Sequence, residues 1–162
     1  MSEKIISAGE LAVVSKKLRA QGKRLVLTNG CFDLLHPGHV RYLQAARALG
    51  DALAVALNGD ESVRALKGEG RPLNREPDRA EVVAALACVD HVVAFPEVRA
   101  TRLLEEVRPS IYVKGGDYTR ATLHPEEQAA LEKIGAEIRI LPFEPGHSTS
   151  RLIERMKTLP SG

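Results

Sequence analysis

The sequence predicts an α/β fold in which a five-stranded parallel sheet lies between two layers of helices. Three observations predict it. Five short apolar runs, KRLVLTNG (23–30), DALAVALNGD (51–60), DHVVAF (90–95), PSIYVKGGD (109–117) and AEIRILPF (136–143), have the length and content of strands covered on both faces. Stretches suited to helices separate them, and strand–helix alternation repeated five times argues for parallel pairing through crossovers. Turn-forming and polar residues gather just after the strands, where open sheets of this kind bind ligands.

Each element follows in order. A helix around residues 8–20 lies within residues 1–22, which read as a helical extension packed on the domain; residues 23–162 read as one domain. GHVRYLQAARALG (38–50) follows strand one. LKGEGRPLNREPD (66–78) reads as a long charged loop and a candidate lid. DRAEVVAALACV (78–89) is the next helix, with Asp78 and Glu81 at capping-box spacing. VRATRLLEEV (98–107) and PEEQAALEKIG (125–135) supply two more, and a last helix begins near Ser148.

Composition narrows the function classes. Of 162 residues, 44% are hydrophobic and 27% charged, as in a soluble globular protein. No apolar run is long enough to span a bilayer, and MSEKIISAGELAVV has no secretory apolar core, so a cytoplasmic protein without membrane partners is expected. The 23 basic residues are spread out against 21 acidic ones, with three Phe, three Tyr and no Trp for base stacking. Nucleic acid is therefore not an expected partner. Cys31 and Cys88 are too few and too badly spaced for a disulfide scaffold or a zinc site. Cys88 reads as a small buried residue, while Cys31 lies beside the suspected site.

That site is TNGCFDLLHPGHV (28–40). Gly30 permits a sharp turn or close approach of backbone to ligand. The chain then enters a helix near Pro37, Gly38 and His39, leaving first-turn amides to face an anion. GxGxxG is absent, and so is a P-loop. His36 and His39 are three residues apart, so both rings can point to one pocket from a helix start. An imidazole donates a hydrogen bond to a phosphoryl oxygen while neutral, and more strongly when charged. A zinc site would need a third ligand from Asp33 or His147, and no protein metal ligand is assigned. Lys114 directly follows a strand and faces the crevice, Lys67 lies on the candidate lid, and Arg79 heads a helix where a nearby anion would suit it. One of Ser148, Thr149 or Ser150 is expected to cap the last helix, and the same amides and hydroxyls can hold a phosphate.

Together with LNGD, the arginine in EPDRAEVVAAL, VDHVV, VKGGDY and the closing GHSTS, the motif TNGCFDLLHPGH resembles the cytidylyltransferase-like group of HxGH nucleotidyltransferases over nearly the whole chain from residue 23. The group's Rossmann-like fold is then implied for residues 23–162. Within it, the chain closely resembles the adenylyltransferase domain of bacterial ADP-heptose synthesis, including the leading helix and the LKGEGRPLN loop. The resemblance implies transfer of AMP from ATP to D-glycero-beta-D-manno-heptose 1-phosphate, releasing pyrophosphate. It also implies a separate sugar kinase, Mg²⁺ held mainly by the nucleotide phosphates, and a preference for pairing as a homodimer. The alternative is a glycerol-3-phosphate cytidylyltransferase using CTP; against it, Phe143 stands where that family closes with an arginine, and Lys114 and Gly116 replace its own pattern. Adenine selectivity rests on the resemblance alone.

Residue roles follow from the residues and the resemblance together. His36, His39 and Lys67 are the expected catalytic groups. Thr28, Asn29, Gly30, Cys31, Phe32, Gly38, Arg79, Lys114, Gly115, Gly116, Asp117, Tyr118, Ser148 and Thr149 are expected around the nucleotide. Asp33, Asn58, Asp60 and Lys114 are expected at the sugar phosphate. His147 has no assigned role.

Overall fold

The five strands form one parallel sheet in the order β3-β2-β1-β4-β5. They are β1 (Leu25–Gly30), β2 (Ala52–Asn58), β3 (His91–Phe95), β4 (Ile111–Gly115) and β5 (Glu137–Leu141). The structure, a computed structural model, describes every residue except Met1, Asp117 and Phe143, and only the backbone of Arg120. From β1 the chain steps outward through β2 to β3, then returns to the other side of β1 for β4 and β5. The order therefore reverses between β1 and β4. Diverging crossovers open a crevice beyond their carboxyl ends.

Among the described residues the helices are α1 (Ala8–Ala20), α2 (Pro37–Arg47), α3 (Asp60–Lys67), α4 (Glu76–Ala84), α5 (Thr101–Val107), α6 (Pro125–Ile134) and α7 (Thr149–Lys157). Two apolar clusters occupy the two faces of the sheet. One joins Leu11 of α1, Leu103 and Leu104 of α5 and Leu131 of α6 to Leu25, Leu27 and Tyr112. The other joins Leu43 and Ala46 of α2 and Ala80 and Val83 of α4 to Val26, Leu53, Val55 and Val113. Alternate residues of one strand point to opposite faces, so β2 is buried at all seven positions.

Four details differ from expectation. The stretch Asp60–Lys67 forms a helix that is not among the expected elements. Its signals are end signals: Gly59 as N-cap, Asp60 and Glu61 in the first turn, and Gly68 after Lys67. Lys67 is thus at a helix end rather than on a loop. Second, the capping box at Asp78 and Glu81 is absent, because α4 starts at Glu76 with Arg75 as N-cap and a proline in its first turn. The Asp60 carboxylate accepts the Glu76 N–H at 2.8 Å, so α3 caps α4. Third, β5 is the sheet edge and is half-covered, with Arg139 exposed. Fourth, Cys88 is half-buried rather than buried. The opposite edge, β3, is screened by the N-terminal segment: Val92 donates to Lys4 O at 2.8 Å, and Ile6 N–H donates to Val92 O at 2.9 Å.

Candidate active site

At the crevice, β1 ends in a turn whose Phe32 has φ 48°, an uncommon backbone for a bulky residue and one held by its surroundings. A Cβ on Gly30 would stand 2.9 Å from the Phe32 ring, so this turn needs glycine. His36 is the N-cap of α2, Pro37 opens the helix, and His39 falls in the same turn. Their ring centroids are 3.9 Å apart, and Phe32 lies 5.4 Å from His39. His147, ahead of α7, stacks at 6.0 Å on His36 with an interplanar angle of 17°. A Cβ at Gly38 would come within 2.8 Å of the His36 ring and 3.1 Å of His147 Cβ. Glycine between the histidines is therefore what lets three imidazoles gather.

The protonation of this cluster follows from its contacts. His39 Nδ1 accepts the His36 backbone N–H at 3.3 Å, so a neutral His39 carries its proton on Nε2. Burial, then the neighbouring His36, pushes His39 down to about 4. Burial also lowers His36, followed by the effect of His147. At neutral pH the ligand-free pair is uncharged, and His39 offers one N–H donor. His36 Nδ1 is buried without a hydrogen-bond partner among the described residues.

Beneath the crevice lies a polar framework. Tyr42 donates to Val113 O at 3.2 Å, and its hydroxyl lies 2.8 Å from Thr28 Oγ1. Tyr112 donates to Asn29 Oδ1 at 2.6 Å, leaving the Asn29 amide nitrogen as that side chain's donor. Burial pushes Tyr42 up to about 12 and raises Tyr112 as well, so both hydroxyls stay protonated. Lys114 is largely covered; its Nζ lies 4.0 Å from Glu127 Oε2 and 5.0 Å from the Tyr118 ring centroid.

Several residues expected at the ligands make internal ties. Arg79, expected at the nucleotide, is fully buried and donates to Asn74 O, Cys31 O, Asn58 O and Asp60 Oδ1 at 2.7–3.0 Å. Its position on the inward face of α4 makes it a clamp on four crevice segments. Asp33, expected at the sugar, accepts Leu73 N–H, Asn74 N–H and Arg71 Nε, each at 2.8 Å. Burial pushes its carboxyl up, but those donors outweigh burial and hold it below its ordinary value. The loop after Gly70 is pinned by that carboxylate. Asn58 donates to Glu97 O and Val98 O, and Asp60 caps α4. Thr28 is buried on Tyr42.

The remaining expected residues fall around the crevice. Gly115 packs against Tyr42, and Gly116 takes φ 76° while its N–H donates to Leu141 O. Tyr118 is 46% exposed. Ser148 caps α7 by accepting Arg151 N–H, while Thr149 donates to Leu34 O at 3.2 Å and ties α7 to the histidine loop. Lys67 is exposed, and its charge is close enough to oppose the upward shift that burial gives Cys31. Asp117, expected at the ribose, and Phe143 lie outside the described residues. Sequence reasoning passed over Glu127, Tyr112 and Tyr42, whose surroundings come from distant elements. Among the described residues no three His, Cys, Asp or Glu side chains converge as a metal site.

A doubly wound parallel sheet with paired imidazoles where a helix opens onto its switch point defines an HxGH-type α/β protein. The profile of the cytidylyltransferase-like family matches residues 27–155, and the chain belongs to that family. The bifunctional protein HldE of Geotalea uraniireducens is 50% identical over 155 residues, which are 96% of this chain and 31% of that protein. HldE of Methylococcus capsulatus is 53% identical over 152 residues, 94% of this chain and 32% of that protein. The chain thus spans about a third of the length of these relatives. A lipopolysaccharide core biosynthesis protein from Thermoplasma volcanium GSS1 aligns with TM-score 0.63 and 30% identity over 76% of this chain and 98% of its own. Pantoate-beta-alanine ligase from Francisella tularensis shares the fold, with TM-score 0.60 and 14% identity over 99% of this chain and 74% of its own.

Proposed function

We propose that the chain transfers AMP from ATP to a sugar 1-phosphate, D-glycero-beta-D-manno-heptose 1-phosphate, giving ADP-heptose and pyrophosphate. A phosphate oxygen of the sugar attacks the α-phosphorus of ATP. The bond from that phosphorus to the bridging oxygen breaks, and its electrons leave with pyrophosphate. A phosphate monoester with a second pKa near ~6 is already anionic at neutral pH, so no strong base is needed. Alignment and charge stabilisation remain as the enzyme's task.

The observation that carries this reading is the His36–His39 pair at the start of α2, with the His39 proton fixed on Nε2 by the His36 N–H. A neutral N–H donor in a partly desolvated turn strengthens its bond as charge grows on the phosphorus oxygens. It carries no cation that would bind the ground state equally well. The amides of the β1 turn and of Gly38 hold the triphosphate beside it, Lys67 and Lys114 supply cations, and Ser148 and Thr149 close the far side. Mg²⁺ neutralises triphosphate charge when bound. In this reading the ion is held by the nucleotide phosphates and water. The sugar phosphate would come from a kinase in the cytoplasm, and the chain would act as a homodimer.

A substrate matrix tests the reading: ATP or CTP, each paired with heptose 1-phosphate, glycerol 3-phosphate or phosphopantetheine, with pyrophosphate followed. ATP with heptose 1-phosphate should give the largest kcat/KM. CTP with glycerol 3-phosphate in first place would replace the substrate assignment while leaving the site.

A further inference from the structure

The crevice also holds a charged pair that the reaction scheme leaves without an explanation. Glu127 sits on α6, five-hundredths exposed, yet α6 contributes nothing else polar and buried. Its Oε1 accepts the Ala100 N–H at 3.2 Å, at the start of α5, and its Oε2 stands 4.0 Å from Lys114 Nζ at the end of β4. One carboxylate thus links α5 and α6 to the end of β4 at the switch point. Burying a carboxylate is costly unless it is paired and hydrogen-bonded, and an apolar pair would fill this place at less cost.

The geometry of the pair is loose. At 4.0 Å the ammonium is attracted but not tightly hydrogen-bonded, and it has three protons to place. Its other close neighbours are aromatic: the Tyr112 ring centroid at 5.6 Å and that of Tyr118 at 5.0 Å. Both rings offer a face to a cation without competing for its hydrogen bonds. Among the described residues, Lys114 is therefore held by a field rather than by fixed acceptors, beside the β1–β4 crevice. An arriving phosphate can take it over without breaking a strong bond.

We propose that Glu127 is a positioning residue, the buried counter-ion that keeps Lys114 charged and placed at the end of β4 until a phosphate of the substrate takes it over. This rests on the transferase reading for the identity of the phosphate, but the hold of Glu127 on Lys114 does not. Burial lowers the Lys114 ammonium from its ordinary value, and Glu127 opposes that fall. Among the described residues, the titratable groups facing Lys114 are Glu127 from α6, Tyr112 from β4 and Tyr118 from the segment after it. Tyr112 stays protonated, and among the described residues Glu127 is the carboxylate facing Lys114.

The test uses Glu127→Gln, which keeps a carbonyl for the Ala100 N–H and removes only the charge. Lys114 is titrated by NMR of lysine labelled at Cε, its signal assigned by loss in Lys114→Met. In Glu127→Gln the Lys114 pKa should fall by about one unit, since a lost opposite charge within ~4–6 Å no longer favours the ammonium. The alkaline limb of kcat/KM should move to lower pH by the same amount. KM for the sugar phosphate should rise about tenfold with kcat changed less than about threefold, a loss of mainly ground-state binding. Adding Glu127→Gln to Lys114→Met should cost nothing further. An unmoved Lys114 pKa, or additive losses in the double variant, overturns the proposal. Equal melting-temperature losses in Glu127→Gln and Glu127→Ala with Lys114 unmoved would reduce Glu127 to a cap on α5. If the parent chain releases no pyrophosphate with any substrate pair, the transferase reading fails, and the NMR titration still decides the role of Glu127.

Discussion

His39 shows how much chemistry one backbone hydrogen bond can set. Because the His36 N–H occupies Nδ1, the ring's proton is assigned before any substrate arrives. His39→Ala should lower turnover by roughly 10²- to 10⁴-fold with little change in melting temperature, a loss of about 3–5 kcal/mol felt mainly in the transition state. Pyrophosphate release at the parental rate under saturating substrates would remove His39 from the mechanism. The same residue makes a stability prediction. Its pKa is about 4 when folded, below the ordinary value of 6.5, so the unfolded chain binds the extra proton first. The contribution of this ring to stability is complete above pH 6.5 and is lost as pH falls from there toward 4. His36 and His91 are lowered in the same direction, each chiefly by burial. Urea midpoints should therefore drop between pH 7 and pH 5, and His39→Gln should flatten that drop. A parent midpoint that does not change over this range would contradict the neutral, buried imidazole.

Among elements, the two short helices between β2 and β3 behave as one latch. Arg79 of α4 reaches Asp60 of α3 and three carbonyls, and Asp60 in turn caps α4. Asp33 holds residues 71–74 against the β1 turn through three donors. Gly68 and Gly70, at φ 98° and 81°, lie outside this latch with open space around them. Any closing of the candidate lid is thus confined to the short stretch between Lys67 and Arg71. Arg79→Met should cost about 3–5 kcal/mol, because it strands a carboxylate and three carbonyls. Arg79→Lys should recover only part of that, since one ammonium cannot serve four acceptors set around a planar fork. Urea denaturation checks both; a loss below about 1 kcal/mol for Arg79→Met would show that water replaces the clamp. The helical pattern of 78–89 placed Arg79 near a helix start, and sequence spacing could not reveal that its side chain points inward.

At the scale of the whole molecule, the crossover order places the histidine turn of β1 beside the Lys114 end of β4. The helix before β1 belongs to the same core: Leu11 is fully buried among α5 and sheet residues, and Ser15 donates to Arg108 O at 3.0 Å. Leu11→Ala should therefore destabilise the molecule by about 2–5 kcal/mol in a single transition with an unchanged denaturant slope. A separate early transition would instead make residues 1–22 an independent appendage.

The strands and their parallel arrangement were legible because apolar runs and helical stretches alternate, and that alternation is a local property of the chain. The paired histidines, Gly38 and the capping serine were legible for the same reason, since each acts within one turn. What the chain alone left open was the destination of polar side chains at the strand ends. Arg79, Asp33, Asn58 and Asp60 had the chemistry of ligand contacts, but only the folded crevice shows each tied to groups of the protein. Glu127 and Tyr112 gain their meaning from partners that the sheet brings in from other elements. Hydrogen bonds over such distances depend on which strands become neighbours, and no local pattern encodes that.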